Sequence, residues 1–354
     1  MKYSIIVPVF NRPDEVDELL ESLSNQTHRD FEVIIVEDGS TIPCKDVCDK
    51  YANILVLHYY AKENSGPGQS RNYGAERANG EYIIILDSDV VLPKGYVEAI
   101  DKTLSSAKEE IAAFGGPDAA HPSFTPVQKA ISYSMTSFFT TGGIRGSSPQ
   151  SGGARGALDK FYPRSYNMGI RRDVYLELGG FSKMRFGEDI DFSYRIVEAG
   201  HRTALFPEAW VWHKRRTDFR KFFRQVYNSG IARINLEKRH PGTMKLVHLL
   251  PTVFTVGVIA LILISAVGRA LMHYVDRDQF YWMCFGPWIP ILLYSIFICI
   301  DSTIRNRSLR VGLLSVPAAF VQLMGYGLGF IESWWKRCIL KQDEFQAFEK
   351  TFYK

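Results

Sequence analysis

The stretch YIIILDSDV, residues 82–90, decides how the chain is read. Tyr82 to Leu86 is apolar enough to be buried, yet the run ends in two carboxylates, Asp87 and Asp89, with only Ser88 between them. A short, continuously apolar run fits a strand covered on both faces. In an extended chain residues two apart point the same way, so Asp87 and Asp89 are expected to converge while Ser88 faces elsewhere. Converging carboxylates in a partly buried place repel unless a cation intervenes. Hard oxygen donors suit Mg²⁺ or Mn²⁺, commonly shared with phosphates. Alone, Asp-x-Asp reads more readily as a solvated turn; its position behind a buried strand, opposite a second acidic strand end, reverses that preference.

Working outward, YSIIVPVF (3–10), FEVIIVEDGS (31–40) and NILVLHYY (53–60) read as further strands. RPDEVDELLESLSN (12–25) places Val16, Leu19, Leu20 and Leu23 at helical spacing with Pro13 in the first turn. Short helices are expected near Cys44 to Tyr51 and from about Ser70 to Asn79. Apolar strands alternating with helices predict an α/β fold, Rossmann-like, with a mostly parallel sheet flanked by helices. Ligands of such sheets collect at the carboxyl ends of the strands. Two strands end in acids there, Glu37-Asp38 and Asp87-Ser88-Asp89, and these are expected to meet in one cleft. NSGPGQSRNYG (64–74) adds glycines and Arg71, a donor for phosphate or carboxylate. It has neither Gly-x-Gly-x-x-Gly nor Gly-Lys-Ser/Thr, which argues against a nicotinamide enzyme or a P-loop ATPase.

Beyond residue 100 the signal is more mixed. RGSSPQSGGARG (145–156) reads as a loop, RRDVYLELGGF (171–181) as a short helix stopped by Gly179-Gly180, and FGEDIDFSYRIVEAG (186–200) as a helix with acids in its first turn. Acids there are stabilised by the helix dipole whatever else they do.

The last third differs in kind. Val247–Gly268, Phe280–Ile300 and Val311–Ile331 contain no Asp, Glu, Lys or Arg. At 1.5 Å per residue each is roughly 30 Å long, the thickness of a bilayer's hydrocarbon core. Three transmembrane helices are therefore expected within residues 246–332, with the tail 333–354 outside. MKYSIIVPVFNR has too short an apolar run for a signal peptide, so the first two thirds are expected in the cytosol. Arg305, Arg307 and Arg310 agree with that orientation, whereas Lys336, Arg337 and Lys341 prefer the cytosol and strain against it. Between His213 and His240 stand nine Lys and Arg against Asp218 and Glu237. This excess faces anionic headgroups and not nucleic acid in our reading, because it directly precedes the first apolar window. Residues 216–245 place Phe219, Phe222, Phe223, Val226 and Tyr227 on one helical face, as for a helix lying on the inner leaflet. The five cysteines show neither redox nor zinc spacing and are expected to be free thiols.

IIVPVFNR, IIVEDGS, NSGPGQSRNYG, ILDSDV, NMGIRRDVYLELGGF and FGEDIDFSYRI, in this order, resemble the inverting family 2 glycosyltransferases of GT-A fold. The resemblance covers roughly residues 1–215 and leaves the apolar windows outside. It implies a donor-binding half (1–100) and an acceptor-binding, catalytic half (101–215). It also implies that Pro8, Asn11, Asp38 and Arg71 line the nucleoside pocket, that Asp87 and Ser88 serve the donor, and that Asp89 binds a metal, Mg²⁺ or Mn²⁺, on the donor diphosphate. In the Glu188-Asp189 pair the aspartate corresponds to the general base, favoured over Glu188 and Asp191. AWVWHK (209–214) resembles a strand that ends in a histidine in relatives, so His213 is a candidate further metal or diphosphate ligand.

A cytosolic transferase held at a bilayer is expected to use a nucleotide-sugar donor and a lipid-linked acceptor. A base implies an acceptor hydroxyl, since polyprenyl phosphate arrives already ionised. The competing readings are a polyprenyl-phosphate glycosyltransferase, a processive polysaccharide synthase and a non-catalytic nucleotide-binding scaffold. No Gln-x-x-Arg-Trp motif supports the processive one.

Overall fold

A computed structural model of the 354-residue chain describes residues 1–141, 161–184, 186–270, 276–345 and 347. The glycine- and serine-rich loop 145–156 lies outside the described residues. The chain divides into two compact units, one of Met1–His121 with Ser147–Lys214, the other of Pro122–Gly146 with Arg215–Lys354.

In the first unit the elements are β1 (Tyr3–Val9), α1 (Pro13–Ser24), β2 (Phe31–Asp38), α2 (Lys45–Tyr51), β3 (Leu57–Lys62), α3 (Pro67–Ala75), β4 (Tyr82–Leu86), β5 (Val90–Val91), α4 (Tyr96–Ser106), β6 (Ala113–Gly115) and β7 (Asp118–Ala119). The second unit takes α5 (Pro126–Thr136) and α6 (Phe138–Thr141). The first resumes with β8 (Asn167–Arg171), α7 (Arg172–Glu177), α8 (Glu188–Glu198), β9 (Thr203–Leu205) and β10 (Val211–His213). The main sheet has the order β3-β2-β1-β4-β8-β6-β9. β3, β2, β1 and β4 are mutually parallel and β8 is antiparallel to both neighbours, so the sheet is mostly parallel, as the apolar runs predict.

β1, β2 and β4 read clearly because both their faces are covered. Ile5, Val7, Val33, Ile35 and Ile84 pack with Val16, Leu19, Leu20 and Leu23 of α1. Ile6, Ile34, Ile83 and Ile85 pack with Phe181, Phe192 and Ile196 on the opposite face. β3 begins four residues later than the apolar pattern suggests and α3 starts at Pro67, where proline at the first turn loses no hydrogen bond. α7 ends before Gly179 and Gly180, both at positive φ, as expected for a glycine stop.

The second unit is helical. α9 (Phe219–Arg239), α10 (Leu250–Ala270), α11 (Arg277–Phe285), α12 (Ile289–Asn306) and α13 (Leu309–Trp334) join α5 and α6. Three helical stretches, Leu246–Ala270, Phe280–Asn306 and Leu309–Ile339, are long and apolar enough to cross a membrane. α5, expected within the catalytic half, belongs to this unit, where Ile131 and Met135 pack with Phe222 and Val226 of α9. The face of α9 expected to rest on a leaflet is therefore covered by its own chain. Phe219 and Phe222 meet α5 and Val321, and Val226 and Phe223 meet Gly325. The sequence carries a signal for this that composition hides, since Gly325-x-x-x-Gly329 is a small-residue spacing that lets helix backbones touch. A Cβ at Gly329 would stand 2.0 Å from the Tyr227 carbonyl oxygen, and one at Gly230 2.1 Å from that of Tyr326. Gly329→Ala must push α9 off α13, and overpacking of this kind costs about 1–3 kcal/mol. We expect a clear fall in the thermal midpoint of the purified variant; an unchanged midpoint contradicts the close packing.

All five cysteines are free thiols. Cys44 also has a structural role, donating its backbone N–H to Glu37 at 2.8 Å.

Candidate active site

β4 stops at Leu86, and residues 87–89 form a turn in which the Val90 N–H donates to the Asp87 carbonyl at 3.4 Å. Convergence of the two aspartates therefore comes from the turn and not from an extended strand. Ser88 lies buried within it. The next two residues, β5, pair antiparallel with β10, which puts His213 opposite Val90. Lys214 N–H closes the arrangement by donating to the Asp89 carbonyl at 3.0 Å. Asp87, Asp89 and His213 consequently offer ligand atoms that all lie within 4.8 Å of one another.

The imidazole is held from several sides. His213 Nε2 is 3.2 Å from Asp89 Oδ1 and Nδ1 is 3.8 Å from Asp118 Oδ2. Its ring stacks on Tyr166 with centroids 4.9 Å apart. Two carboxylates and one imidazole in this spacing make a donor set that fits a divalent ion such as Mn²⁺ or Mg²⁺. A cation at this place would relieve the mutual repulsion of the carboxylates.

Arg71 connects this group to Glu188, the neighbour of the candidate base Asp189. α3 carries it into the interior, where its guanidinium donates to Asp87 Oδ1 at 2.8 Å and to Glu188 Oε1 at 3.0 Å, and lies 5.2 Å from the Phe181 ring centre. Burial raises the Glu188 carboxyl above the ordinary carboxylate range, with Arg71 pulling it down and Asp189 adding to the rise. Glu188 opens α8 behind Gly187, whose φ of 84° is a left-handed conformation that glycine adopts without strain. The three acids of that first turn then part company. Glu188 is taken by Arg71, and Asp191 is buried against Arg195 at 3.2 Å. Arg195 in turn holds the Leu178 and Gly180 carbonyls. Asp189 remains partly open to solvent, with Oδ2 3.6 Å from Arg164.

The acids ending β2 and β4 stand at the carboxyl ends of strands that are not neighbours. β1 lies between these strands, which spaces their ends by two strand widths, about 10 Å. Glu37 faces Cys44 and Tyr59 instead of the cleft. Asp38 is buried and accepts the Ser65 and Gly66 N–H groups at 2.9 Å each, besides pairing with Lys62. Asn11, at a φ of 55° that asparagine tolerates, accepts from Thr41 N–H at 2.7 Å and Ile42 N–H at 2.9 Å. Both side chains thus shape the loops after β1, β2 and β3. Pro8 is half-buried on β1 in register with Val36. Arg164, Tyr166 and Asp118 escaped the sequence reading. Tyr166 and Asp118 reach His213, and Arg164 reaches Asp189, through contacts between distant segments that no local spacing announces.

Comparisons with known proteins bear on the family and the fold. The family model described as "Glycosyl transferase family group 2" matches residues 82–299, and "Glycosyl transferase family 2" matches residues 4–151. The chain is 25% identical over 286 residues to the pre-mycofactocin glycosyltransferase of Mycobacterium tuberculosis, covering 76% of this chain and 53% of that protein. It is 42% identical over 95 residues to the poly(ribitol-phosphate) beta-glucosyltransferase of Bacillus spizizenii, covering 25% of this chain and 15% of that one. The chain spans between 13% and 53% of the length of the curated relatives it matches. The mannosyltransferase PcManGT from Pyrobaculum calidifontis, solved with GDP-Man and Mn²⁺, superposes with a TM-score of 0.56 at 14% identity, covering 95% of this chain and 88% of that one. That likeness establishes the shared fold.

Proposed function

The chain belongs to glycosyl transferase family group 2, and on that premise we propose that it is a membrane-anchored, inverting glycosyltransferase, moving a sugar from a nucleotide-sugar donor to a hydroxyl of a lipid-linked glycan. The observation that carries this reading is the pairing of Asp87 and Glu188 through one buried arginine, which ties a cation-binding group to a helix that begins with a candidate base.

In this reading Asp87, Asp89 and His213 hold a divalent metal, and the imidazole tilts the choice towards Mn²⁺. When bound, such an ion offsets the charge developing on the leaving diphosphate. Asn11 and Asp38 shape the nucleoside pocket by fixing the loops around it, and Pro8 lines it from β1. Asp189 accepts the proton of the acceptor hydroxyl as the hydroxyl oxygen attacks the anomeric carbon from the face opposite the leaving group; the bond from that carbon to the nucleoside diphosphate breaks as the new one forms, which inverts the configuration. Arg164 holds Asp189 in place, and Arg71 keeps Asp87 and Glu188 from repelling across the site. The apolar helices of the second unit bring the enzyme to an acceptor that is itself confined to the bilayer.

The test is hydrolysis of nucleotide sugars by the purified full chain with and without Mn²⁺. We expect nucleoside diphosphate release from one donor class, lost on chelation and restored by Mn²⁺. No metal-dependent turnover with any donor would leave the scaffold reading in possession.

A further inference from the structure

We propose that only α10 and the α11–α12 pair cross the bilayer, and that α13 lies with α9 at the base of this hairpin. The C-terminal tail then sits on the face from which α10 enters. This inference rests on the membrane reading above and replaces its expected three crossings by two.

Exposure separates the three apolar stretches. In their most apolar windows, 11% of Leu246–Ala270 and 12% of Phe280–Asn306 is buried, against 44% of Leu309–Ile339. α10 exposes Val253, Val256, Leu263 and Val267, and α12 exposes Leu292, Leu293, Phe297 and Ile300. Between Leu313 and Trp334, α13 has no large apolar side chain among the exposed ones. Its apolar surface is met by protein: Ala318 by Ala130, Ala319 by Ile298 and Tyr133, Val321 by Phe222.

Contacts locate α13 along the hairpin. It meets α10 at that helix's first turns, through Pro251 and Thr255 at Gly327 and through Phe254 at Phe320. It meets α12 from Tyr294 and Ile298, nearer that helix's middle, to Ser302 and Thr303 in its last turns. The two helices run antiparallel, since the Trp288 indole donates to Ser265 at 2.8 Å while the Phe254 and Tyr294 rings lie 5.9 Å apart, so the start of α10 and the end of α12 face the same side.

The decisive partner is α9. It runs parallel to α13 from the Val226–Gly325 contact to the Arg337–Asn235 hydrogen bond of 3.0 Å. A crossing by α13 would drag α9 through the hydrocarbon with Arg224, Arg233, Glu237, Lys238 and Arg239 aboard, and charges at bilayer depth are costly. The tail makes the conflict worse. After α13 it folds back along α9, with Glu344 paired to Arg239 at 2.8 Å and Ala347 N–H donating to Asn228 at 3.1 Å. A polar segment beside the middle of α9 is incompatible with lipid there. With two crossings, Arg305, Arg307, Arg310, Lys336, Arg337 and Lys341 all stand on one side, as the positive-inside rule requires.

The experiment is protease accessibility of epitope tags at both termini of the full chain, in sealed membrane vesicles of each orientation. We expect both tags to be cut in one preparation and both protected in the other. Tags cut in opposite preparations establish an odd number of crossings and overturn the inference while leaving the membrane reading intact. A chain stripped from vesicles by alkaline carbonate overturns both.

Discussion

Asp189→Asn is expected to lower kcat by about 10²–10⁴-fold with little change in donor KM, the loss typical of removing a positioned general base. The substitution keeps the size and polarity of the side chain, and Asp189 is partly open to solvent, so the fold should tolerate it. Glu188→Gln is the informative companion. Glu188 is bound to Arg71 in the interior, and its loss disturbs a buried ion pair before it disturbs a proton transfer. The expected signature is therefore a lowered thermal midpoint for Glu188→Gln and an unchanged one for Asp189→Asn. Full rate in Asp189→Asn would point to an acceptor that arrives ionised, such as a polyprenyl phosphate, and would remove the hydroxyl acceptor from the proposal.

The second large effect is expected at Asp89. Asp89→Asn removes a charged donor from the Asp87, Asp89 and His213 group, and metal stabilisation of transition-state charge is worth several kcal/mol, or about 10²–10³-fold in rate. Binding is measurable without turnover. A ligand at one hundred times its Kd stabilises the folded state by about 2.7 kcal/mol, so Mn²⁺ with a nucleoside diphosphate should raise the thermal midpoint of the native chain. Asp89→Asn should lose most of that rise. An undiminished rise would place the metal elsewhere.

What was legible in the sequence followed from local rules. β1, β2 and β4 are buried on both faces and so carry uninterrupted apolar runs; α1 and α8 show helical spacing. Asp87, Asp89, Glu188 and Asp189 were visible because each stands at the end of such an element. The rest depends on pairings that no window of sequence contains. The β5–β10 ladder decides where His213 points, yet each strand is only two or three residues long. Tyr166 and Arg164 gain their roles from segments far away. The apolar face of α9 and the apolar run of α13 look the same whether lipid or protein covers them, and here they cover one another. Asp38 and Asn11 read as lining a nucleoside pocket; what the sequence does not show is that their side chains also hold the surrounding loops, Asp38 through Ser65, Gly66 and Lys62 and Asn11 through Thr41 and Ile42.

Arg71 serves two clients, and this has a consequence for how such a chain can diverge. A change at residue 87 frees one arm of Arg71 and so alters the counter-charge that Glu188 receives, which couples the two positions through one guanidinium. Positions 87 and 188, about a hundred residues apart, are therefore expected to constrain one another.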